Sequence, residues 1–342
     1  MNYNLKFYAL TFILALGLSL VFVPLVRYFA IRFGLYDSPN EIKTHKGAVP
    51  VLGGLGIFAA FSMALVIMRF STSFPTGTLR DLRYILIGSF LILCLGAIDD
   101  LKKPNGLSVG FKFAAQFIIA IFMVFSGFQI KFISPEYLSF VLSVLWIVGV
   151  SNAFNIIDIM DGLSSSQVLS AGLALWFISL PSEHIYVNFL AAAISGAALG
   201  FIPNNFSSKR KIFMGDSGSL FCGFVMAILS LGGEYSKNNI LGVYAPLFIL
   251  AVPIYDTFFV SVMRMKKGIS PFSGSRDHYA LRLEKIGLSR KKIVVISFLF
   301  SLIMGLAAWL STMVSWQWGM IIYFVVGAEF ILISLRISKI KV

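Results

Sequence analysis

The sequence predicts an all-α protein, a polytopic membrane helix bundle of about eleven spans. Three observations lead there. Hydrophobic residues make up 58% of the 342 positions and mean hydropathy is +0.88. Charged residues are only 13%, against about 25% in an ordinary soluble domain. Apolar runs of a length that crosses a hydrocarbon core, roughly 17 to 25 residues, recur along the whole chain.

The spans are expected near residues 5–29, 51–68, 84–98, 111–127, 138–157, 164–180, 185–203, 218–233, 240–262, 293–312 and 317–335. The first has a single Lys ahead of it and no small-residue cleavage site before Pro24, so it reads as a span and not as a removed signal peptide. One domain, 1–342, holds all of them, with no appended soluble domain, internal repeat or low-complexity tract. Pro253 is expected to break the ninth span. Trp309, Trp316 and Trp318 flank the turn between the last two spans as interface anchors, and Glu329 is a lone acid in the last span. Cys94 and Cys222 sit in apolar runs without metal-ligand spacing and read as buried free thiols.

The net charge of +13 reports topology before it reports a partner, and no nucleic acid is expected. Connections after odd-numbered spans carry 22 of the 28 Lys and Arg residues. That asymmetry puts the N-terminus outside, and the C-terminus and odd-span loops in the cytoplasm. Parity then gathers Asp99 and Asp100, Asp158 and Asp161, and Asp216 on the cytoplasmic side. A transporter or flippase of an anionic lipid or nucleotide sugar would instead need acids distributed along a path through the membrane.

The stretch from Asn152 to Leu163 sets Asn152, Asn155, Asp158 and Asp161 at intervals of three where an apolar run ends. Neighbours in that series share a helix face, but its ends do not. The helix is therefore expected to open near Asp158, with Gly162 helping it to stop. The amides of Asn152 and Asn155 can orient carboxylates or bind a sugar or uracil edge. Interhelical hydrogen bonding is the structural alternative. Asp99 and Asp100 are adjacent carboxylates that call for a proton, a base or a divalent cation, or form a solvated helix end balanced by Lys102 and Lys103.

Phe213 to Ser219 is a glycine-rich entrance to a helix, where free N–H groups and the dipole suit phosphate and Asp216 can hold a metal. A simple N-cap is the plainer reading. Arg264 to Lys292 holds nine cations, more than topology needs, with Asp277 and His278 set between Arg276 and Arg282 in a grouping suited to an anionic ligand. Lys43 and His45 form a similar basic segment. Gly53 and Gly54 beyond it admit close backbone approach, though helix packing is the simpler use. Asp256, inside the ninth span, must be paired or functional. Carboxylates with few other ligands, beside substrate phosphates, describe a Mg²⁺ site.

These motifs resemble the polyprenyl-phosphate N-acetylhexosamine-1-phosphate transferases. That family includes the enterobacterial-antigen and teichoic-acid initiating enzymes and is related to phospho-MurNAc-pentapeptide translocase. The resemblance runs from about Asp37 to Leu288. Asp37, Pro39, Asn40, Lys43, His45, Gly47, Pro50, Gly53 and Gly54 look like the first cytoplasmic motif of the sugar-transferring branch, which sets the peptidoglycan translocase second. Asp99 with Asp100 matches the aspartate pair. Asn152, Asn155, Asp158, Asp161 and Gly162 match the Asn-and-Asp motif, and Gly215, Asp216, Gly218 and Ser219 the Gly-Asp-Ser/Thr-Gly-Ser motif. His278 and Arg282 match the last basic loop.

The resemblance implies transfer of a HexNAc 1-phosphate, GlcNAc 1-phosphate first, from a UDP-sugar to undecaprenyl or another polyprenyl phosphate. UMP would leave at the cytoplasmic face of the plasma (inner) membrane. It implies Mg²⁺, with Mn²⁺ as a substitute, near Asp216 with help from Asp161 or Asp158. Asp99 and Asp100 fall to the acceptor phosphate, and substrate contacts to Lys43, His45, Asn152, Asn155, Asp256, Arg276, His278 and Arg282. Implied partners are the two substrates, membrane lipid and a second copy of the chain in a homodimer. Two positions depart from the pattern. Ile159 stands where a glycine is usual, so an unusual backbone is expected there. Tyr279, Ala280 and Leu281 replace further histidines, which puts pyrophosphate contacts on His278, Arg276 and Arg282.

Overall fold

The computed structural model describes residues 3–340, apart from 38–46, 73, 75, 104, 182–184, 234, 237 and 238. Lys43 and His45 lie outside the described residues. Helix α1 (Tyr3–Arg32) leads into a small antiparallel pairing of β1 (Tyr36–Asp37) with β2 (Val49–Pro50). Then come α2 (Gly53–Ser71), α3 (Thr76–Leu101), α4 (Val109–Phe125), α5 (Glu136–Ile156), α6 (Leu163–Ser179), α7 (Ile185–Phe206) and α8 (Gly215–Leu231). A 3-10 turn (Ile240–Tyr244) precedes α9 (Ala245–Ile249), α10 (Ala251–Lys266), α11 (Tyr279–Lys285), α12 (Arg290–Met313) and α13 (Trp316–Ser338).

Seven of these helices, α1, α2, α3, α5, α7, α12 and α13, are long and apolar enough to cross a membrane. The 3-10 turn and α9 together with α10 make an eighth, bent by 70°. The chain is therefore an all-α, multi-pass membrane protein. The other three apolar runs form α4, α6 and α8, each of 17 residues, at the short end of what spans hydrocarbon.

α8 is the hub. Every side chain from Ser217 to Ser230 is buried, against α2, α3 and α5. α7 lies beside it between α1, α2 and α6. Lipid offers little hydrophobic drive between helices, so small residues and polar bonds set these contacts. Ser19 Oγ donates to Ala197 O at 2.8 Å, tying α1 to α7. α13 sits at the periphery, with only 6% of its apolar window buried. It exposes Trp316, Trp318 and Phe324, as well as Glu329, to the surroundings.

The ninth span breaks at Leu250, four residues after Pro246 and three before Pro253. The Pro253 ring would collide with the carbonyl four residues back, on Ile249, which ends α9 there. A second, smaller core joins the 157–163 turn to α10, α11, α12 and α13 through Ile157, Met160, Phe259, Leu281, Ile293 and Ile337. That core fixes the turn against the end of the bundle where α13 finishes. Cys222 is buried and free, whereas Cys94 is only half-buried.

Candidate active site

α5 ends at Ile156, and the chain turns through Ile157 to Asp161 before α6 begins. The expected opening near Asp158 is present, although Gly162, at φ +77°, starts α6 rather than closing α5. Asn205 Oδ1 accepts the Gly162 N–H and its Nδ2 donates to Ile212 O, so α7 holds the turn to the segment before α8. Ile159 has no positive φ, but its N–H donates to Ile157 O at 2.8 Å, closing a three-residue γ-turn at Asp158. The unusual backbone expected there takes that form. The one positive-φ non-glycine among the described residues is Leu52, at +73°, just before α2.

The entrance to α8 is assembled with two other segments, the start of α2 and the end of α3. Gly53 N–H donates to Phe213 O and Gly54 N–H to Met214 O, both at 2.9 Å. A Cβ on Gly54 would lie 2.2 Å from Gly218 Cα, so close backbone approach is the actual use of this glycine. Asp100 comes from the end of α3. Its Oδ1 accepts from Asp216 N–H and its Oδ2 from Ser217 N–H, both at 3.0 Å. A Cβ on Gly215, whose φ is +75°, would meet Asp100 Oδ2 at 2.4 Å. The free N–H groups expected to hold phosphate are thus taken by a protein carboxylate.

Two lysines bind the acids together. Lys103 Nζ lies 2.7 Å from Asp100 Oδ1 and 3.2 Å from Asp216 Oδ1. Lys112 Nζ lies 3.1 Å from Asp99 Oδ2 and 2.7 Å from Asp216 Oδ2. Burial alone would lower the Lys103 pKa, but Asp216 and Asp100 overcome it and hold the ammonium above its usual range. Asp99 Oδ1 accepts from Leu107 N–H at 2.7 Å. Asp161 pairs with Lys211 at 2.6 Å.

A cavity of about 260 Å³ opens beside this cluster, lined by Asn155, Asp158, Asp161, Asp216, Lys103 and Lys211, with Arg290, Ser275, Asn205 and Asp37 completing its polar wall. Asp158 differs from the other acids. Its carboxylate faces the cavity and takes no hydrogen bond among the described residues. Burial, then the charges of Asp216 and Asp161, push it up to about 8 against the pull of Lys103.

Five carboxylates, Asp99, Asp100, Asp158, Asp161 and Asp216, face three ammoniums, those of Lys103, Lys112 and Lys211. Fully ionised, the set has two negative charges in excess. Among the described residues no three acidic, His or Cys side chains converge as a ready cage. Hard oxygen donors with unbalanced negative charge fit Mg²⁺, which takes one or two carboxylates and completes its shell with water and phosphate. Asp216, Asp161 and Asp158 carry the oxygens it would use, the first two of them paired with lysines.

Residues 82–234 match the sequence profile of glycosyl transferase family 4. A probable undecaprenyl-phosphate N-acetylglucosaminyl 1-phosphate transferase of Bacillus subtilis is 33% identical over 308 residues, covering 87% of this chain and 83% of that one. The chain belongs to glycosyl transferase family 4. Two further relatives are the undecaprenyl-phosphate alpha-N-acetylglucosaminyl 1-phosphate transferase of Salmonella typhi and the decaprenyl-phosphate N-acetylglucosaminephosphotransferase of Mycolicibacterium smegmatis. The first is 28% identical over 330 residues, 90% of this chain and 85% of its own. The second is 29% identical over 307 residues, 80% and 75% respectively.

Several expected contacts of this family 4 chain lie elsewhere. Asn155 lines the cavity and donates to Ser219 Oγ at 2.9 Å. Asn152 does not line it; its Nδ2 donates to Val148 O and to Gln116 Oε1, which joins α5 to α4. Asp256, expected at the substrate, is fully buried and bridges His278 Nδ1 at 2.7 Å and Tyr279 N–H at 3.1 Å. It positions the α11 segment instead. Arg282, expected at the pyrophosphate, is 1% exposed. Its guanidinium pairs with Asp277 at 2.7 Å and donates to Ile337, Ser338 and Ile340 carbonyls at the end of α13. Buried and engaged on every side, it secures the last helix. Neither His278 nor exposed Arg276 lines the cavity.

Lys103, Lys112 and Lys211 were readable as topology signals, and only their packing makes them part of the site. A lysine inside an apolar run, as Lys112 is, was the signal available.

Proposed function

We propose that this chain transfers GlcNAc 1-phosphate from UDP-GlcNAc to undecaprenyl phosphate on the cytoplasmic face of the plasma (inner) membrane, releasing UMP. The observation that carries the reading is one cavity where Asp158, Asp161 and Asp216 meet Lys103, Lys211 and Arg290. Phosphoryl transfer is mostly positioning and charge stabilisation, and such a mixed wall suits it. A separate groove of about 1210 Å³ runs from the opposite end of the bundle, at Arg80, Lys131 and Tyr235, inward to Ala153 and Ile254, and its inner end would take part of the acceptor's chain. The names of the curated relatives favour the same sugar and acceptor.

The site and the end of α13 share one face, because Ile337 packs in the same small core as Ile157 and Met160 of the 157–163 turn. The 22 cations on that side favour the cytoplasm. Eleven spans, an outer N-terminus and an inner C-terminus complete this topology, with α4, α6 and α8 crossing as short helices.

An acceptor phosphate oxygen attacks the phosphorus bearing the sugar, a P–O bond forms, and the bond to the UMP oxygen breaks. Asp158 is the acid placed to take a proton from the acceptor phosphate. Asp216, with Asp161, would hold Mg²⁺, which supplies charge neutralisation to the phosphates when bound. Lys103 and Lys112 pair with Asp216 and Asp99 and hold them in place, and Asp100 sets the α8 entrance. An aspartyl-phosphate double displacement is the competing scheme, and inversion at phosphorus in the product selects the direct route. The test is UMP release by purified protein given Mg²⁺, undecaprenyl phosphate and a panel of UDP-HexNAc donors. Release with UDP-GlcNAc is expected, and folded protein that releases none with any donor overturns the reading.

A further inference from the structure

Three cations line the cavity, and two are already committed. Lys103 is held by Asp100 and Asp216, and Lys211 by Asp161. The third is Arg290, the first residue of α12, preceded by Ser289, whose side chain accepts from Lys292 N–H. Among the described residues Arg290 makes one contact, from Nε to Glu284 Oε1 at 2.7 Å. Glu284 lies on α11, outside the cavity lining. Four of the five N–H donors of the guanidinium are thus uncommitted. Both side chains of the pair are 34% exposed, so releasing Glu284 to water costs little.

Arg264 and Arg282 show the contrast. Arg264 donates to Ser275 Oγ and Pro271 O, and Arg282 is buried against α13, so neither can turn to a ligand without unmaking the fold. We infer that Arg290 is the arginine of the last cytoplasmic segment that grips the diphosphate of the donor, leaving Glu284 as it does so. A planar guanidinium offers two parallel N–H groups to phosphate oxygens, which an ammonium cannot. The α12 N-terminus adds a favourable dipole at the same place. This inference rests on the proposed UDP-sugar reaction.

Four proteins test it: wild type, Arg290→Ala, Arg290→Lys and Glu284→Gln, each checked for a monodisperse profile and an unchanged melting temperature. Donor and acceptor KM are read from UMP release, and UDP affinity from equilibrium binding without acceptor. Arg290→Ala is expected to raise the donor KM and the UDP Kd about 10- to 100-fold with the acceptor KM unchanged. Arg290→Lys should recover only part of the loss. Glu284→Gln should leave both donor constants the same or lower. Unaltered donor constants in Arg290→Ala, with wild type active, overturn this inference alone. So does a Glu284→Gln protein that reproduces the Arg290→Ala loss, since the pair would then be a strut between α11 and α12. Wild type that releases no UMP overturns the underlying reaction and this inference with it.

Discussion

The carboxylate of Asp100 caps the backbone amide of Ser217 at 3.0 Å, so the end of α3 closes the beginning of α8. A fully buried acid side chain is thereby satisfied by two amides and Lys103, an arrangement that gives it a structural task at the α8 entrance.

Asp100→Asn should therefore behave as a folding lesion first. An amide can accept from only one of the two N–H groups without presenting a donor to the other, and Lys103 loses its closest partner. Lost charged hydrogen bonds of this kind cost about 1.5–3 kcal/mol each. A drop in melting temperature together with lost UMP release is expected. Loss of turnover with full stability would return Asp100 to the chemistry.

Gly54 makes a second structural prediction at the same entrance. Its Cβ in a Gly54→Ala protein would sit 2.2 Å from Gly218 Cα and N, against backbone that cannot rotate away. Either α2 or the α8 entrance must move, at about 1–3 kcal/mol for such overpacking. Turnover should fall more than tenfold, because Asp216 moves with that entrance. A fully active Gly54→Ala protein, measured by UMP release, would mean that the entrance tolerates displacement.

Arg282 should matter for stability and not for donor affinity. Removing it takes from buried Asp277 one of its two cations, leaving Lys267, and lost charged hydrogen bonds cost about 1.5–3 kcal/mol each. Burial would raise the Asp277 pKa, but Lys267, Ser275 and Arg282 more than reverse this and hold it below the usual carboxylate range. An acid with a lowered folded pKa stabilises the fold fully above the ordinary carboxylate value, and that share is lost as pH falls through the lowered value. Acid should thus unfold wild type on a steeper slope than Asp277→Asn in melts taken from pH 7 to pH 3. In whatever fraction of Arg282→Ala folds, the donor KM should match wild type.

The sequence revealed the helices, the opening after Ile156 and the sharing of one face by the acids, because apolar run length, the Asn and Asp interval and cation parity are all local signals. Pairing was not legible. Lys112 reaches Asp216 only because α3, α4 and α8 pack together, and Asp100 reaches Ser217 across more than a hundred residues. Arg282 and Arg290 sit in the same basic stretch, and the motif pattern favours Arg282 for the phosphate. Burial alone separates them, since one is enclosed by α13 and the other opens on the cavity. Ile159 departs from its family's pattern, and the turn there closes through a tight Ile159 N–H to Ile157 O bond without a positive φ, while the left-handed conformation falls on Leu52.

Asp158 gives the prediction that separates stability from function. Its carboxyl is pushed up to about 8 by burial and by Asp216. An acid whose folded pKa is raised favours the fold when protonated, so this share of stability is greatest below the ordinary carboxylate value. It is lost as pH rises from there to about 8. Asp158→Asn keeps the shape and removes the charge. Metal-free Asp158→Asn should then melt higher than wild type at pH 8, by on the order of 1–2 kcal/mol once the water reaching the cavity is allowed for. The two proteins should converge near pH 4. The same substitution removes the acid placed to take a proton, so UMP release should fall by about 10²- to 10⁴-fold. Melting curves across that pH range, paired with turnover, check both halves. A variant that is destabilised at pH 8 would show that Asp158 is held by partners instead of standing free in the cavity.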